Sequence, residues 1–154
     1  TAHFWLTDLI RDCPVPFISI VDASIDELRN LTDAGKPIGL IATRATLAAR
    51  IFDTPLKRAG YTPIQPDENT MESLVLPCID LVKAGRVSQG GPLIERAVQA
   101  LLAQGAGAGV LACTELPLAL DAVQSPLRNQ CVDSTAALAR ACVALWQAER
   151  AKAT

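Results

Sequence analysis

What constrains this chain most is the regular exchange of two kinds of segment along it. Short apolar or β-branched runs, Ile38-Gly-Leu-Ile-Ala42 and Val110-Leu-Ala-Cys113 among them, alternate with longer stretches whose apolar positions recur at helical spacing. Brief apolar runs without polar alternation read as strands buried on both faces. Strands separated by helices of about 10–15 residues give an α/β fold with a mainly parallel sheet flanked by helices. Further strands are expected at Phe17–Val21, Tyr61–Gln65 and Gln130–Val132. Helices are expected over residues 4–12, 22–31, 46–58, 67–83, 93–104 and 135–150. Pro77 falls inside the 67–83 stretch and predicts a kink or break there.

Composition narrows the partners. A chain of 154 residues, 50% hydrophobic and 19% charged, is globular and large enough for one domain or two small halves. Its net charge of −2 supplies no basic footprint, so no nucleic-acid partner is expected. The one histidine, His3, removes every metal site that needs two, and a Ser-His-Asp triad would have to run through it. Cysteines stand at 13, 78, 113, 131 and 142, with no C-x-x-C pair and an odd total. That argues against structural zinc and against a disulfide framework, and for free thiols in a reducing, cytoplasmic setting. The start lacks a basic leader, and the longest uncharged stretch, Ala97–Thr114, is broken by Gly105, Gly107 and Gly109. Neither a signal peptide nor a membrane span is expected. A small-molecule ligand fits best.

In open α/β sheets ligands gather at the carboxyl ends of the strands. The segments to weigh are therefore Thr43–Thr46, Cys113–Glu115 and Asp133–Thr135. Gly105-Ala-Gly-Ala-Gly109 has a helix before it and a strand after it, the reverse of a dinucleotide fingerprint, and reads as a helix C-cap. Gly90-Gly91-Pro92 lacks the Lys-Ser/Thr of a phosphate loop. Cys113 ends an apolar strand and meets a helix N-terminus, whose N–H groups and dipole favour thiolate. A core cysteine at a strand end is the plainer reading of the same position. Lys83, before Ala84-Gly85, is either a solvated lysine at a helix C-terminus or a cation at a ligand. Thr43 and Thr46, flanking Arg44, serve as a helix N-cap or as hydroxyls that hold a carboxylate.

Together these segments resemble the aspartate/glutamate racemases, the cofactor-independent amino-acid racemases. Leu111-Ala-Cys-Thr-Glu-Leu-Pro-Leu118 resembles the family's second cysteine motif, G-C-T-E-x-P-L, with Ala112 where Gly is common. Gly39-Leu-Ile-Ala-Thr-Arg-Ala-Thr46 resembles its G-L-x-x-T-x-x-T strand and loop. Leu81-Val-Lys-Ala-Gly85 resembles its K-x-G segment, and Thr1-Ala-His3 the tail of its first cysteine motif, C-N-T-A-H. The first catalytic cysteine would stand two positions before Thr1, so the chain is expected to be part of a longer one.

The resemblance implies two pseudo-symmetric α/β lobes with the active site between them. Residues 1–36 and 126–154 would belong to an incomplete first lobe, and 37–125 to the second. It implies no cofactor, a homodimer, and an amino acid or dicarboxylate as substrate, aspartate or glutamate first. Cys113 would be one of two acid/base thiols at Cα. Thr1, Thr43, Thr46 and Thr114 would offer hydroxyls to the substrate carboxylate, Lys83 a positive charge, and Glu115 would orient or tune Cys113. Two other readings stand beside this one. A related cysteine-dependent enzyme of the same superfamily would be a maleate isomerase, hydantoin racemase or arylmalonate decarboxylase. A non-catalytic remnant would only bind carboxylates.

Overall fold

The computed structural model describes residues 10–11 and 13–152; Thr1 and most of the helix expected over 4–12 lie outside them. Helix α1 (Ile20–Leu28) begins where a strand was expected. Ser19 is extended at φ −79°, ψ 128°, and its hydroxyl accepts the Asp22 N–H at 3.2 Å, which is an N-cap. Val21, Ile25 and Leu28 then fall on one buried face, whereas Phe17 is 43% exposed. A β-branched run alone does not make a strand when a serine inside it can cap a helix.

β1 (Pro37–Ile41) leads to α2 (Arg44–Ala48) and α3 (Asp53–Arg58). The single helix expected over 46–58 is divided here, because Arg50 takes a left-handed φ of 52° and turns the chain. β2 (Thr62–Ile64) follows, then one continuous helical run that begins with α4 (Glu68–Thr70). A π turn (Met71–Val75) and α5 (Leu76–Lys83) complete it. In the widened turn the Leu76 N–H reaches back to the Met71 carbonyl. Pro77 has no N–H to return to the turn below it, and the π turn takes up the mismatch just ahead of the ring. The expected break is thus a wide turn in an unbroken helix.

α6 (Val87–Ala103) starts six residues before its expected beginning and carries Gly90, Gly91 and Pro92 within it. The two glycines are there because helices come close. A Cβ on Gly90 would lie 3.1 Å from the Cys78 sulfur, and one on Gly91 would lie 2.3 Å from Val123 Cγ1. At its end Gly105 adopts φ 95°, with its N–H on Leu102 and the Ala106 N–H on Leu101. That is a Schellman close, so these glycines end a helix as expected. β3 (Ala108–Leu111), α7 (Glu115–Ala122), a 3₁₀ turn (Pro126–Gln130), β4 (Cys131–Asp133) and α8 (Ser134–Lys152) complete the chain.

The four strands are parallel and lie in the order β2-β1-β3-β4. This is the α/β class expected, with helices on both faces. Ile38, Leu40, Ala108, Val110 and Val132 face a core closed by α1, α3 and the start of α8. Ile41, Leu111 and Cys131 face the other core, under the 68–83 helix, α6 and α7. Fully burying side chains such as Leu40, Ile41 and Leu111 contributes roughly 1.5–3 kcal/mol each. The expected lobe division set residues 1–36 and 126–154 against 37–125. Within the described residues β4 pairs with β3, in the sheet of the 37–125 group, and α8 packs on α1.

Candidate active site at the carboxyl edge of the sheet

β1 and β3 are neighbours in register, Ile41 against Leu111, and the Ala112 N–H donates to the Ile41 carbonyl at 2.8 Å. Their outgoing loops, Thr43–Thr46 and Cys113–Glu115, therefore leave the sheet side by side. Behind them the buried Ser134 hydroxyl donates to the Leu111 carbonyl at 3.0 Å, fixing the strand two residues before Cys113.

Cys113 is half-buried, and its thiol donates to Glu115 Oε2 at 2.9 Å. The exposed Thr114 hydroxyl donates to the same oxygen, also at 2.9 Å. Burial first, and then Glu115 as hydrogen-bond acceptor, push the Cys113 thiol up to about 12; the charge of Lys83 pulls the other way without offsetting them. The sequence led us to expect thiolate at this helix N-terminus. Burial, and then the Glu115 carboxylate in the first turn of α7, favour the thiol instead. Glu115 in turn lies below the usual carboxylate range, chiefly through the Cys113 hydrogen bond, with Thr114 and Lys83 adding to it.

Lys83 is exposed in the last turn of α5. Gly85, at φ 75°, closes that helix, with its N–H on Val82 and the Arg86 N–H on Leu81. The charge of Lys83 acts on both Cys113 and Glu115, so the structure brings these three together. Cys78 lies deeper on the same helix. Burial and the field of Glu115 push its thiol up to about 11.

The Thr43 hydroxyl N-caps α2, accepting the Thr46 N–H at 3.3 Å, and the two hydroxyls lie 3.1 Å apart. The cap reading and the paired-hydroxyl reading thus describe one arrangement. Between them Arg44 turns outward to grip Glu68 with two hydrogen bonds, at 2.9 and 2.5 Å, and also bonds Glu72. The fork was not expected from the sequence. Its only visible signal was the i, i+4 spacing of Glu68 and Glu72, which does not name a partner so far along the chain. The third segment, Asp133–Thr135, serves as a cap: Asp133 accepts the N–H groups of Thr135 and Ala136 and pairs with Arg128. Arg128 also reaches Asp121, which ties α7 to the start of α8.

Among the described residues no cluster of three His, Cys, Asp or Glu side chains is arranged to hold a metal ion. No helix among them is long and apolar enough to cross a membrane. Cavities of 380 and 490 Å³ lie along α1, and neither takes in Cys113, Lys83 or the threonines.

Against this geometry, a family model described as Asp/Glu/Hydantoin racemase matches residues 1–142. The chain belongs to that family. An uncharacterised protein of Pectobacterium carotovorum is 31% identical over 134 residues, 85% of each chain. The broad-specificity amino-acid racemase RacX of Bacillus subtilis is 26% identical over 148 residues, covering 96% of this chain and 62% of that protein. Among solved structures, an aspartate racemase homologue from Pyrococcus horikoshii superposes with a TM-score of 0.78 at 24% identity, over 94% of this chain and 62% of that one. The aspartate racemase of Picrophilus torridus gives 0.68 at 24% identity, over 91% and 56%. At that identity the likeness is one of fold. The chain spans about three fifths of the Bacillus protein and of both solved structures.

Proposed function

We propose that the protein is an amino-acid racemase that needs no pyridoxal phosphate or metal, with Cys113 as one of two acid/base thiols acting on opposite faces of Cα. Inverting a carbon centre requires a base on one face and an acid on the other. A thiol can play either part once its surroundings set its proton affinity. The single observation that carries this reading is the Cys113 thiol on Glu115 Oε2 at 2.9 Å, at a sheet edge shared with the Thr43–Thr46 turn and within the field of Lys83.

Each residue then has a task. Cys113 holds a proton ready for the carbanion that forms at Cα. Lys83 neutralises the substrate α-carboxylate, which lowers the cost of the charge developing beside it. Thr43, Thr46 and Thr114 offer hydroxyls to that carboxylate, joined by Thr1. Glu115 orients the thiol. The second thiol is proposed two positions before Thr1, in a first lobe that closes over this edge. Aspartate or glutamate is the proposed substrate, the cytoplasm the proposed location, and a homodimer the proposed assembly. Family membership supports the reaction class, and the paired loops support the placement of the substrate.

The test uses the full natural polypeptide with both enantiomers of aspartate, glutamate and a panel of neutral amino acids and hydantoins, following racemisation and uptake of solvent deuterium at Cα. Cys113→Ser keeps the size but raises the side-chain pKa far above neutrality, so net racemisation should disappear from a folded protein. Exchange without inversion should persist for the enantiomer handled from the opposite face. Full two-way racemisation by the folded variant would refute the role given to Cys113.

A further inference from the structure

A two-thiol inversion does not return the protein to its starting state. When Cys113 acts as the acid, its S–H bond breaks as the new Cα–H bond forms, and a thiolate remains. The base on the other face has meanwhile kept the proton from the broken Cα–H bond. Before the same enantiomer can be turned over again, Cys113 must regain a proton.

The structure shows what stands beside that thiolate. One carboxylate oxygen, Glu115 Oε2, meets both the half-buried Cys113 sulfur and the exposed Thr114 hydroxyl, each at 2.9 Å. We propose that Glu115 is the group that reloads Cys113, passing it a solvent proton after each donation at Cα. This rests on the racemase reading and extends it. The step balances simply. The carboxylate takes a proton from water or a buffer acid at its solvent side. Its O–H bond then breaks as the S–H bond forms, and Glu115 is a carboxylate again. Two negative charges at hydrogen-bond distance do not persist together, so the thiolate itself draws the proton in.

The other groups facing this pair fit the role. Lys83, from α5, favours the charged forms of both members and keeps the empty pair from being prohibitively costly. Cys78, from the same helix, is buried, and the side chains that bond Glu115 Oε2 are those of Cys113 and Thr114. Arg44, on the neighbouring loop, is committed to Glu68 and Glu72. Glu115 is therefore a positioning residue with a second task, acting through Cys113 rather than on substrate.

The experiment is Glu115→Gln in the full natural polypeptide. The amide keeps the size and an acceptor for the thiol but cannot carry a proton. Alkylation of Cys113 by iodoacetamide, followed against pH on its own peptide by mass spectrometry, should move to lower pH by about one unit or more as the adjacent negative charge disappears. Racemisation should nonetheless fall about 100-fold in kcat, with KM changed by no more than about twofold. Added formate or acetate should restore the rate in proportion to its concentration and leave the parent unaffected. The thiol becomes more reactive while the enzyme becomes slower.

An unmoved alkylation profile, or a lost rate that no buffer acid restores, overturns the proposal. Glu115→Asp keeps a proton carrier and should retain about a tenth of the parental rate or more without added acid. A rate as low as that of the neutral side chain counts against it. If the parent racemises no substrate, the racemase reading fails separately, and the alkylation profile still judges the pair.

Discussion

Lys83 has no partner chosen for it by neighbouring sequence, yet its charge reaches both members of the Cys113–Glu115 pair from the end of a different helix. Replacing it with Met removes that charge and leaves the thiol and its carboxylate in place. A charge-assisted hydrogen bond is worth roughly 1.5–3 kcal/mol, so kcat/KM should fall about 10- to 150-fold with the thermal midpoint near that of the parent. Steady-state racemisation kinetics check this, and parental kinetics would return Lys83 to the class of solvated surface lysines. At this scale the sequence disclosed where the candidate groups stand in the fold: Cys113 ends an apolar run, Lys83 ends a helix, and Thr43 and Thr46 bracket a turn. It did not disclose the charge state of the thiol. That depends first on burial and then on which way Glu115 bends, since a side chain two positions away can point at the sulfur or away from it. Nor could it join Arg44 to Glu68 and Glu72, because the fork exists only once β1 and the 68–83 helix are packed together.

Helices α6 and α7 approach so closely that one of them must lack side chains at the crossing. A methyl group on Gly91 would meet both Val123 methyls, at 2.3 and 2.7 Å, and the Ala119 carbonyl at 3.0 Å. Gly91→Ala should therefore destabilise the fold by about 1–3 kcal/mol, the usual cost of overpacking. Removing the obstructing methyls with Val123→Ala should recover part of that loss in the double variant. Urea unfolding of the four proteins measures the coupling, and independent, additive effects would show that the two residues do not meet. The same glycines explain why the start of α6 was illegible. Gly90-Gly91-Pro92 carries every local mark of a loop, and only a partner helix makes it profitable to keep those residues helical. The opposite error occurred at Phe17–Val21, where strand-forming residues yield to the Ser19 cap and the buried stripe of α1. Strands β1 and β3 were legible because continuous apolar runs buried on both faces have few other uses.

Among the described residues, one parallel sheet separates two cores and leaves the candidate chemistry on one edge, made of loops from adjacent strands. If thiols and hydrogen bonds carry the reaction, activity of the full natural polypeptide should survive dialysis against a chelator and treatment with a carbonyl reagent. Activity lost there and recovered with added metal or pyridoxal phosphate would contradict the proposed mechanism. The 68–83 helix joins this edge to the rest of the fold, gripping Arg44 through Glu68 and Glu72 at its start and presenting Lys83 at its end. Successive residues of a helix are rotated by about 100°. The π turn at Met71–Val75 holds one residue more than an α-helical turn would and absorbs it by widening, so the helix beyond it keeps its bearing. A descendant that lost a single residue there would gain a smoother helix. Its lysine would stay close to its present bearing relative to the glutamates. A residue added to the α-helical part, with no wide turn to absorb it, would instead swing the positive charge by about a quarter-turn.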